Sequence, residues 1–261
     1  MNSFYKTLCF HFFLLIFLLT LLGCLLSYLL HTCISFSLCS SQQVTFNLQE
    51  QLNSIYTNNE KIAFLTFDDG PTKVATPKIL DILKKQNIHA NFFVIGYRVE
   101  EFPQIVKRAY EEGNFIANHS YSHQNKKLYS SKQSFLQEIK NTDLAISNAI
   151  GVPNYTSHIF RFPNGSTSAQ YSYEKKLAKE YLQEIDYAYI DWNALNYDSE
   201  KLYSKEELLA NLKETCKNKK SLVILMHDTT DVSKSYEALE DSIIFLKEQG
   251  YTFKTFFDLI Y

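Results

Sequence analysis

Short apolar runs alternate with longer helical patterns from about residue 61 to the end of the chain, and this rhythm constrains the fold more than any other feature. The apolar runs are Ile62–Phe67, Ala90–Ile95, Phe115–Ala117, Ile159–Phe162, Tyr187–Trp192, Leu222–Met226 and Tyr251–Phe256. Runs this short and this continuously apolar read as strands buried on both faces. Helical patterns lie between them at Thr76–Gln86, Val99–Glu112, Lys132–Ile150, Tyr173–Glu184, Lys205–Lys219 and Ser235–Gln249. Alternation of the two predicts a mostly parallel sheet with helices outside it. Seven strands in roughly 200 residues suit a closed or partly closed α/β barrel. A doubly wound open sheet is the alternative, but no glycine-rich dinucleotide loop follows the first strand.

The first 60 residues have another character. Leu8 through Leu30 is almost wholly apolar and uncharged, and about 20 such residues cross the hydrocarbon core of a bilayer as a helix. Lys6 precedes the run, and no charge follows until Glu50. This bias predicts an amino terminus in the cytoplasm and the remainder outside. A cleaved signal peptide is the competing reading, but its apolar region would be shorter. Residues 1–39 are thus expected to be a membrane anchor, residues 40–60 a polar linker rich in Gln, Asn and Ser, and residues 61–261 the folded domain. A formal net charge of −2 lacks the basic excess of a nucleic-acid binder. Of five cysteines only Cys216 lies beyond residue 39, so the folded domain carries no internal disulfide.

Polar residues able to do chemistry gather at the ends of the predicted strands. Thr66-Phe67-Asp68-Asp69-Gly70-Pro71 closes the first. Adjacent carboxylates within a strand would face opposite ways, but Gly70 and Pro71 bend the chain and let both turn toward one site. Asn118-His119-Ser120-Tyr121-Ser122-His123 follows the third strand. Its His-x-x-x-His spacing would set two imidazoles on one face of a helical turn, an arrangement suited to a divalent metal. One aspartate with two histidines leaves a coordination position open for water, the pattern of a catalytic site. Arg161-Phe162-Pro163-Asn164-Gly165 follows the fourth strand, and its arginine could pin a carboxylate through a bidentate contact. Asp191-Trp192-Asn193 with Asp198, and Leu225-Met226-His227-Asp228, complete the set. His227 is placed to give or take a proton. His89 and His158 lack any such surroundings.

Taken in order, TFDDGP, HSYSH, RFPNG, an aspartate after DWN, and LMHD resemble the polysaccharide deacetylases of carbohydrate esterase family 4, the NodB homology domain, over about residues 60 to 260. The resemblance implies a distorted (β/α)7 barrel. It implies Asp68 as catalytic base, Asp69 as metal ligand with His119 and His123, and Arg161 as the group holding the base. It further implies that the backbone N–H of Asn164 binds the oxyanion, that His227 is the general acid oriented by Asp198, and that Leu225 lines the acetyl pocket. The family often carries Trp directly after the fourth-motif aspartate; here Ser199 stands there, and Trp192 is the candidate to supply that apolar surface. The implied cofactor is a divalent metal, Zn2+ first, with Co2+ or Mn2+ compatible with the same donors. The implied substrate is an extracellular N-acetylated amino-sugar polymer, peptidoglycan or chitin-like. An anchored exterior domain and Lys-, Asn-, Ile- and Tyr-rich usage favour peptidoglycan. An O-acetyl esterase acting on another glycan and a non-catalytic wall-binding domain are the alternatives. A glycoside hydrolase fits poorly, because its two carboxylates stand about 5 to 10 Å apart across a sugar.

Overall fold

The computed structural model describes residues 22–28, 48–229 and 234–260. The chain divides into two units, residues 1–44 and 45–261. In the first unit, residues 22–28 are helical, with Leu22, Leu25 and Leu26 exposed. Among the described residues no helix is long and apolar enough to cross a membrane. The span expected at 8–30 lies outside the described residues except for 22–28.

The second unit is built on one parallel sheet. Its strands are β1 (Ile62–Asp68), β2 (Asn91–Val94), β3 (Phe115–Asn118), β4 (Ile159–Phe160), β5 (Ala188–Tyr189), β6 (Ala194–Leu195), β7 (Ser221–His227) and β8 (Thr252–Phe253). The order across the sheet is β5-β4-β3-β2-β1-β7-β6, with β8 paired to the start of β1. β5 and β6 are consecutive in the chain yet stand at opposite ends of this order, so the sheet curls into a barrel left open between them. The strand expected at Tyr187–Trp192 is thus only two residues long, Ala188–Tyr189, and β6 lies wholly beyond it. The helices are α1 (48–55), α2 (Ala75–Gln86), α3 (Gly96–Glu101), α4 (Pro103–Glu111), α5 (Asn125–Leu128), α6 (Lys132–Ile150), α7 (Ser172–Glu184), α8 (Lys205–Thr215), α9 (Ser235–Glu248) and α10 (Phe257–Ile260). The helix expected at Val99–Glu112 breaks at Phe102, because the residue before Pro103 is pushed out of helical backbone.

Alternation along the strands separates two cores. Ala63, Leu65 and Phe67 of β1, with Leu222, Ile224 and Met226 of β7, pack outward under the helices. Ile62 and Phe64, Phe93, Phe115, Ile159 and Val223 fill the barrel interior. Leu48, Leu52 and Ile55 of α1 plug that interior core. Residues 48–55 therefore belong to the folded domain and not to the linker expected at 40–60. Burying three such side chains contributes on the order of 5–9 kcal/mol. The Gln49 amide also accepts from the N–H of Tyr189 at 2.9 Å and donates to its carbonyl at 3.0 Å, covering the open edge at β5.

Candidate active site

Along the inward face of β1 the residues are apolar at the amino end and turn polar at the carboxyl end. On β1 the inward series is Ile62, Phe64, Thr66, Asp68; on β7 it is Val223, Leu225, His227. The parallel register sets Asp68 opposite His227 and Thr66 opposite Leu225. Two groups that the sequence separates by 159 positions thus become neighbours one strand spacing apart, about 4.8 Å.

Arg161 organises the centre. It is fully buried and stacks over the Phe93 ring at 4.0 Å. Nη1 donates to Thr66 Oγ1 at 2.6 Å and to Asp68 Oδ1 at 2.8 Å. Nε and Nη2 donate to the carbonyls of Ile190 and Asp191 at 3.1 and 3.2 Å. Those carbonyls lie between β5 and β6, where the barrel is open and no strand is present to satisfy them. The expected bidentate clamp on a carboxylate is therefore not what forms. One arm holds Asp68 and the others close the barrel, which uses the guanidinium's fixed fork and offsets the cost of burying its charge.

Asp69 leaves β1 with φ of 75°, a backbone turn that swings its carboxylate to the side occupied by Asp68. Gly70 follows because an added Cβ would lie 2.0 Å from Asp228 Oδ2. Asp228 supports this turn from below: Thr72 Oγ1 donates to its carbonyl, and Thr76 Oγ1 donates to its Oδ2, each at 2.6 Å. Burial pushes the Asp228 carboxyl up to about 7.

His119 and His123 converge with Asp69, but not through the helical turn their spacing suggests. The segment is an irregular loop, and left-handed residues at Ser120 (φ 70°) and His123 (φ 53°) bring the two rings to one side. One donor atom from each of the three residues lies within 4.8 Å of the others. His123 Nε2 and His119 Nε2 stand 3.2 and 3.4 Å from Asp69 Oδ1. Asp68 Oδ2, the oxygen turned away from Arg161, is 3.8 Å from His119 Nε2.

The chemistry of this donor set fits a divalent cation. His119 Nδ1 lies 2.8 Å from the Arg161 carbonyl. That oxygen can only accept, so Nδ1 carries the proton and Nε2 faces the cluster, as in histidines whose other ring nitrogen is anchored by a carbonyl while they bind a metal. Asp69 Oδ1 is buried and has no hydrogen-bond partner among the described residues. Burial opposes charging of His123, and neighbouring His119 opposes it further, so its pKa falls to about 4 and its ring is neutral. Burial also opposes the Asp69 charge, yet His119 above all, with His123 and His227 adding to it, outweighs this and holds that carboxyl below its usual range. At His119, burial is outweighed by Asp68 and Asp69, which raise its pKa. Both carboxylates draw positive charge to one point.

His227 stands on the other flank. Its Nδ1 and its backbone N–H donate to Asp198 Oδ1 and Oδ2, each at 2.7 Å, and Ser235 Oγ donates to Oδ2 as well. Burial disfavours the imidazolium, but Asp198, with Asp68 and Asp69 behind it, pushes the pKa up to about 9. The absence of Trp at position 199 does not displace Asp198, which sits just past β6.

The remaining predicted positions line this end of the barrel. Leu225 is buried between Val223 and His227 on the inward face. Asn164 is exposed at φ 62°, and its backbone N–H has no partner among the described residues. Trp192 packs against the adjacent Gly165, where an added Cβ would lie 3.0 Å from Trp192 Cη2, and Arg161 lies 5.9 Å from its ring centroid. His158 bonds the Asp186 carbonyl and His89 abuts Gly113; neither joins the site. Two supports, Arg98 and Lys175, carry no signal in the sequence, and the contact made by Asp191 of the DWN motif is a third. Arg98 donates to the Asp69 carbonyl at 2.9 Å. Asp191 accepts from Ser166 N–H and Oγ at 2.8 and 2.7 Å. Buried Lys175 donates to Gly165 O at 2.7 Å. The last two fix the turn carrying Asn164; the aspartate inside DWN was the available signal.

An Asp/Arg pair, an Asp/His/His cluster and an Asp/His pair thus share the carboxyl end of one parallel half-barrel. Comparison with known proteins gives the family. Residues 56–183 match the family described as polysaccharide deacetylase. The chain is 31% identical over 217 residues to the peptidoglycan-N-acetylmuramic acid deacetylase PdaA of Bacillus subtilis, covering 82% of this chain and 78% of that protein. It is 32% identical over 223 residues to a peptidoglycan-N-acetylglucosamine deacetylase of Bacillus cereus, covering 83% and 77%. A Streptococcus mutans CE4 esterase superposes with a TM-score of 0.70 at 30% identity, over 79% of this chain and 90% of that one. The chain belongs to the polysaccharide deacetylase family.

Proposed function

We propose that this chain removes N-acetyl groups from amino sugars of peptidoglycan outside the cell, using a divalent cation held by Asp69, His119 and His123. The observation that carries the reading is the convergence of those three donors between Asp68 on Arg161 and His227 on Asp198. A non-catalytic wall-binding domain would have no need of a base, an acid and a ligand set in one pocket. Both relatives described above act on peptidoglycan by name, one at muramic acid and one at glucosamine, which supports the polymer while leaving either sugar as substrate. The apolar run 8–30 supports attachment to the membrane with the domain outside.

A divalent cation in this donor set, zinc by preference for nitrogen and oxygen ligands, supplies Lewis-acid polarisation of the acetyl carbonyl and a more acidic water. Arg161 fixes Asp68 by one oxygen and leaves Oδ2 facing the cluster, placed to take a proton from attacking water. The backbone N–H of Asn164 is an open donor for oxyanion charge. Leu225 and Trp192 offer apolar surface for the acetyl methyl. His227, kept protonated by Asp198, gives its proton to the sugar amine as the C–N bond breaks, and acetate leaves.

The test is acetate release from N-acetylated peptidoglycan, chitin oligomers and acetylxylan side by side, with and without a chelator. Chelator-sensitive release from peptidoglycan, with muramic acid and glucosamine separated in the product, supports the reading. Release from acetylxylan alone makes it an O-acetyl esterase, and no release from any substrate refutes catalysis.

A further inference from the structure

The loop that carries His119 and His123 has no regular structure of its own, yet it must present two ring nitrogens to a common point. What holds it lies on α6, remote from the reacting groups. Glu138 is a carboxylate only 3% exposed. Its Oε2 accepts the Ser122 N–H at 2.7 Å and the Ser122 hydroxyl at 2.8 Å, and its Oε1 pairs with Lys127 Nζ at 3.0 Å. Ser122 directly precedes His123. The other end of the loop is tied to the same helix. Asn118, directly before His119, donates from Nδ2 to the Ile139 carbonyl at 3.0 Å and to Asp143 Oδ1 at 2.9 Å. Its own Oδ1 accepts the Ser120 N–H at 3.0 Å. Asp143 is held in turn by the Tyr187 hydroxyl at 2.6 Å.

α6 is suited to be such a mount. It is 19 residues long, begins on a Ser131 side-chain cap and ends at Gly151. Burying a carboxylate is costly unless its oxygens are paired, and among the described residues the partners of the Glu138 carboxylate lie on the segment from Ser122 to Lys127. An acetyl or sugar group would not touch it. A helix stiffer than the loop thus fixes both flanks of the ligand pair.

We propose that Glu138 is a positioning residue for the metal-binding loop, and that α6 sets the affinity of the Asp69, His119 and His123 cluster for its cation. This rests on the reading of those three residues as a metal site. Outer-shell partners of metal ligands are commonly worth 10–100-fold in metal affinity.

The experiment is equilibrium zinc binding by the full chain, measured in competition with a chromogenic chelator, alongside far-UV circular dichroism. Glu138→Ala should weaken zinc binding by roughly 10–100-fold without loss of helix signal. Glu138→Gln keeps an oxygen for Ser122 and should recover most of that loss. Ser122→Ala should weaken binding severalfold, and should add little to Glu138→Ala because that variant already lacks the acceptor of the Ser122 hydroxyl. Lys140→Ala, exposed on the same helix, should change nothing. Wild-type zinc affinity in folded Glu138→Ala overturns the proposal. If that variant does not fold, Ser122→Ala decides, and wild-type affinity there overturns it. Absence of zinc binding by the unmodified chain would instead refute the metal site itself, and the mount with it.

Discussion

His123 and His227 are the same residue type at the mouth of one barrel, both near carboxylates, and their electrostatics run in opposite directions. His123 is depressed to about 4 by burial and by the neighbouring His119 ring, so it is neutral and offers a lone pair. His227 is partly buried as well, yet Asp198 on its Nδ1 lifts it to about 9, so it is charged and offers a proton. The difference lies in what each ring touches. A like-charged neighbour with a shared, distributed carboxylate suits a ring to the proposed ligand role; a dedicated carboxylate at 2.7 Å suits one to the proposed acid role. Environment, rather than residue identity, assigns the two roles.

The largest expected effect breaks the ligand side alone. His119→Ala should abolish both metal retention, read by elemental analysis, and acetate release. His227→Ala should keep its metal. Stoichiometric metal in His119→Ala would collapse the distinction between the two flanks. Next comes Asp68, the proposed base, which stands between them. Asp68→Asn keeps its size and can still accept from Arg161, but cannot take a proton. It should bind metal normally and lose roughly 10²–10⁴-fold in kcat. Asp69→Asn should instead lose metal affinity, with partial rescue by excess metal. Metal loss in Asp68→Asn beside tight binding in Asp69→Asn would reverse the assignment of the adjacent pair.

The two flanks were not equally legible in the sequence. β1 and β7 are seven-residue runs buried along nearly their whole length, so TFDD and LMHD announced themselves as strand ends. β6 is two residues, Ala194–Leu195, too short to leave a period, and Asp198 was placed by resemblance rather than by its strand. The histidine loop carried the right residues but the wrong shape: His-x-x-x-His spacing fits a helix and a loop equally well, and only the backbone at Ser120 and His123 separates them. α1 was read as linker because Gln, Asn and Ser dominate its composition. Leu48, Leu52 and Ile55 do carry a helical stripe, but only three apolar residues stand in a segment otherwise polar. The open seam of the barrel could not be read at all, since it depends on where Arg161 finds its carbonyls.

A smaller effect sharpens the acid side. His227→Ala should cost roughly 10²–10³-fold where the unmodified protein is most active, within the usual range for general acid catalysis. Its signature is in the pH profile. The unmodified protein should lose activity as pH rises through about 9, where His227 gives up its proton, and the variant should lack that limb. An alkaline limb unchanged in His227→Ala would assign it to another group.

The smallest effect, and the most specific, comes from Asp198→Asn. The native carboxylate accepts the His227 Nδ1–H on one oxygen and the His227 backbone N–H with the Ser235 hydroxyl on the other. An amide has one acceptor oxygen, so one of these donors must meet an NH2 group, and the negative charge is gone in either orientation. His227 should therefore lose the main interaction that raises it, while Asp68 and Asp69 still contribute part. A raised pKa falls when its cause is removed, so the alkaline limb should move down from about 9 toward the ordinary imidazole value of about 6.5. Below pH 6 the proton is present in both proteins and rates should nearly agree. At pH 8 a limb moved to about 7 leaves roughly a tenth of the acid protonated, an approximately tenfold loss that grows with pH. The same linkage acts on stability: the contribution of the charged His227 pair is fully present below the unfolded imidazole pKa and fades as pH rises through about 9. Asp198→Asn should flatten that slope in a denaturant titration series. A rate loss that is uniform from pH 5 to pH 9 would mean that Asp198 shapes the pocket without tuning its acid.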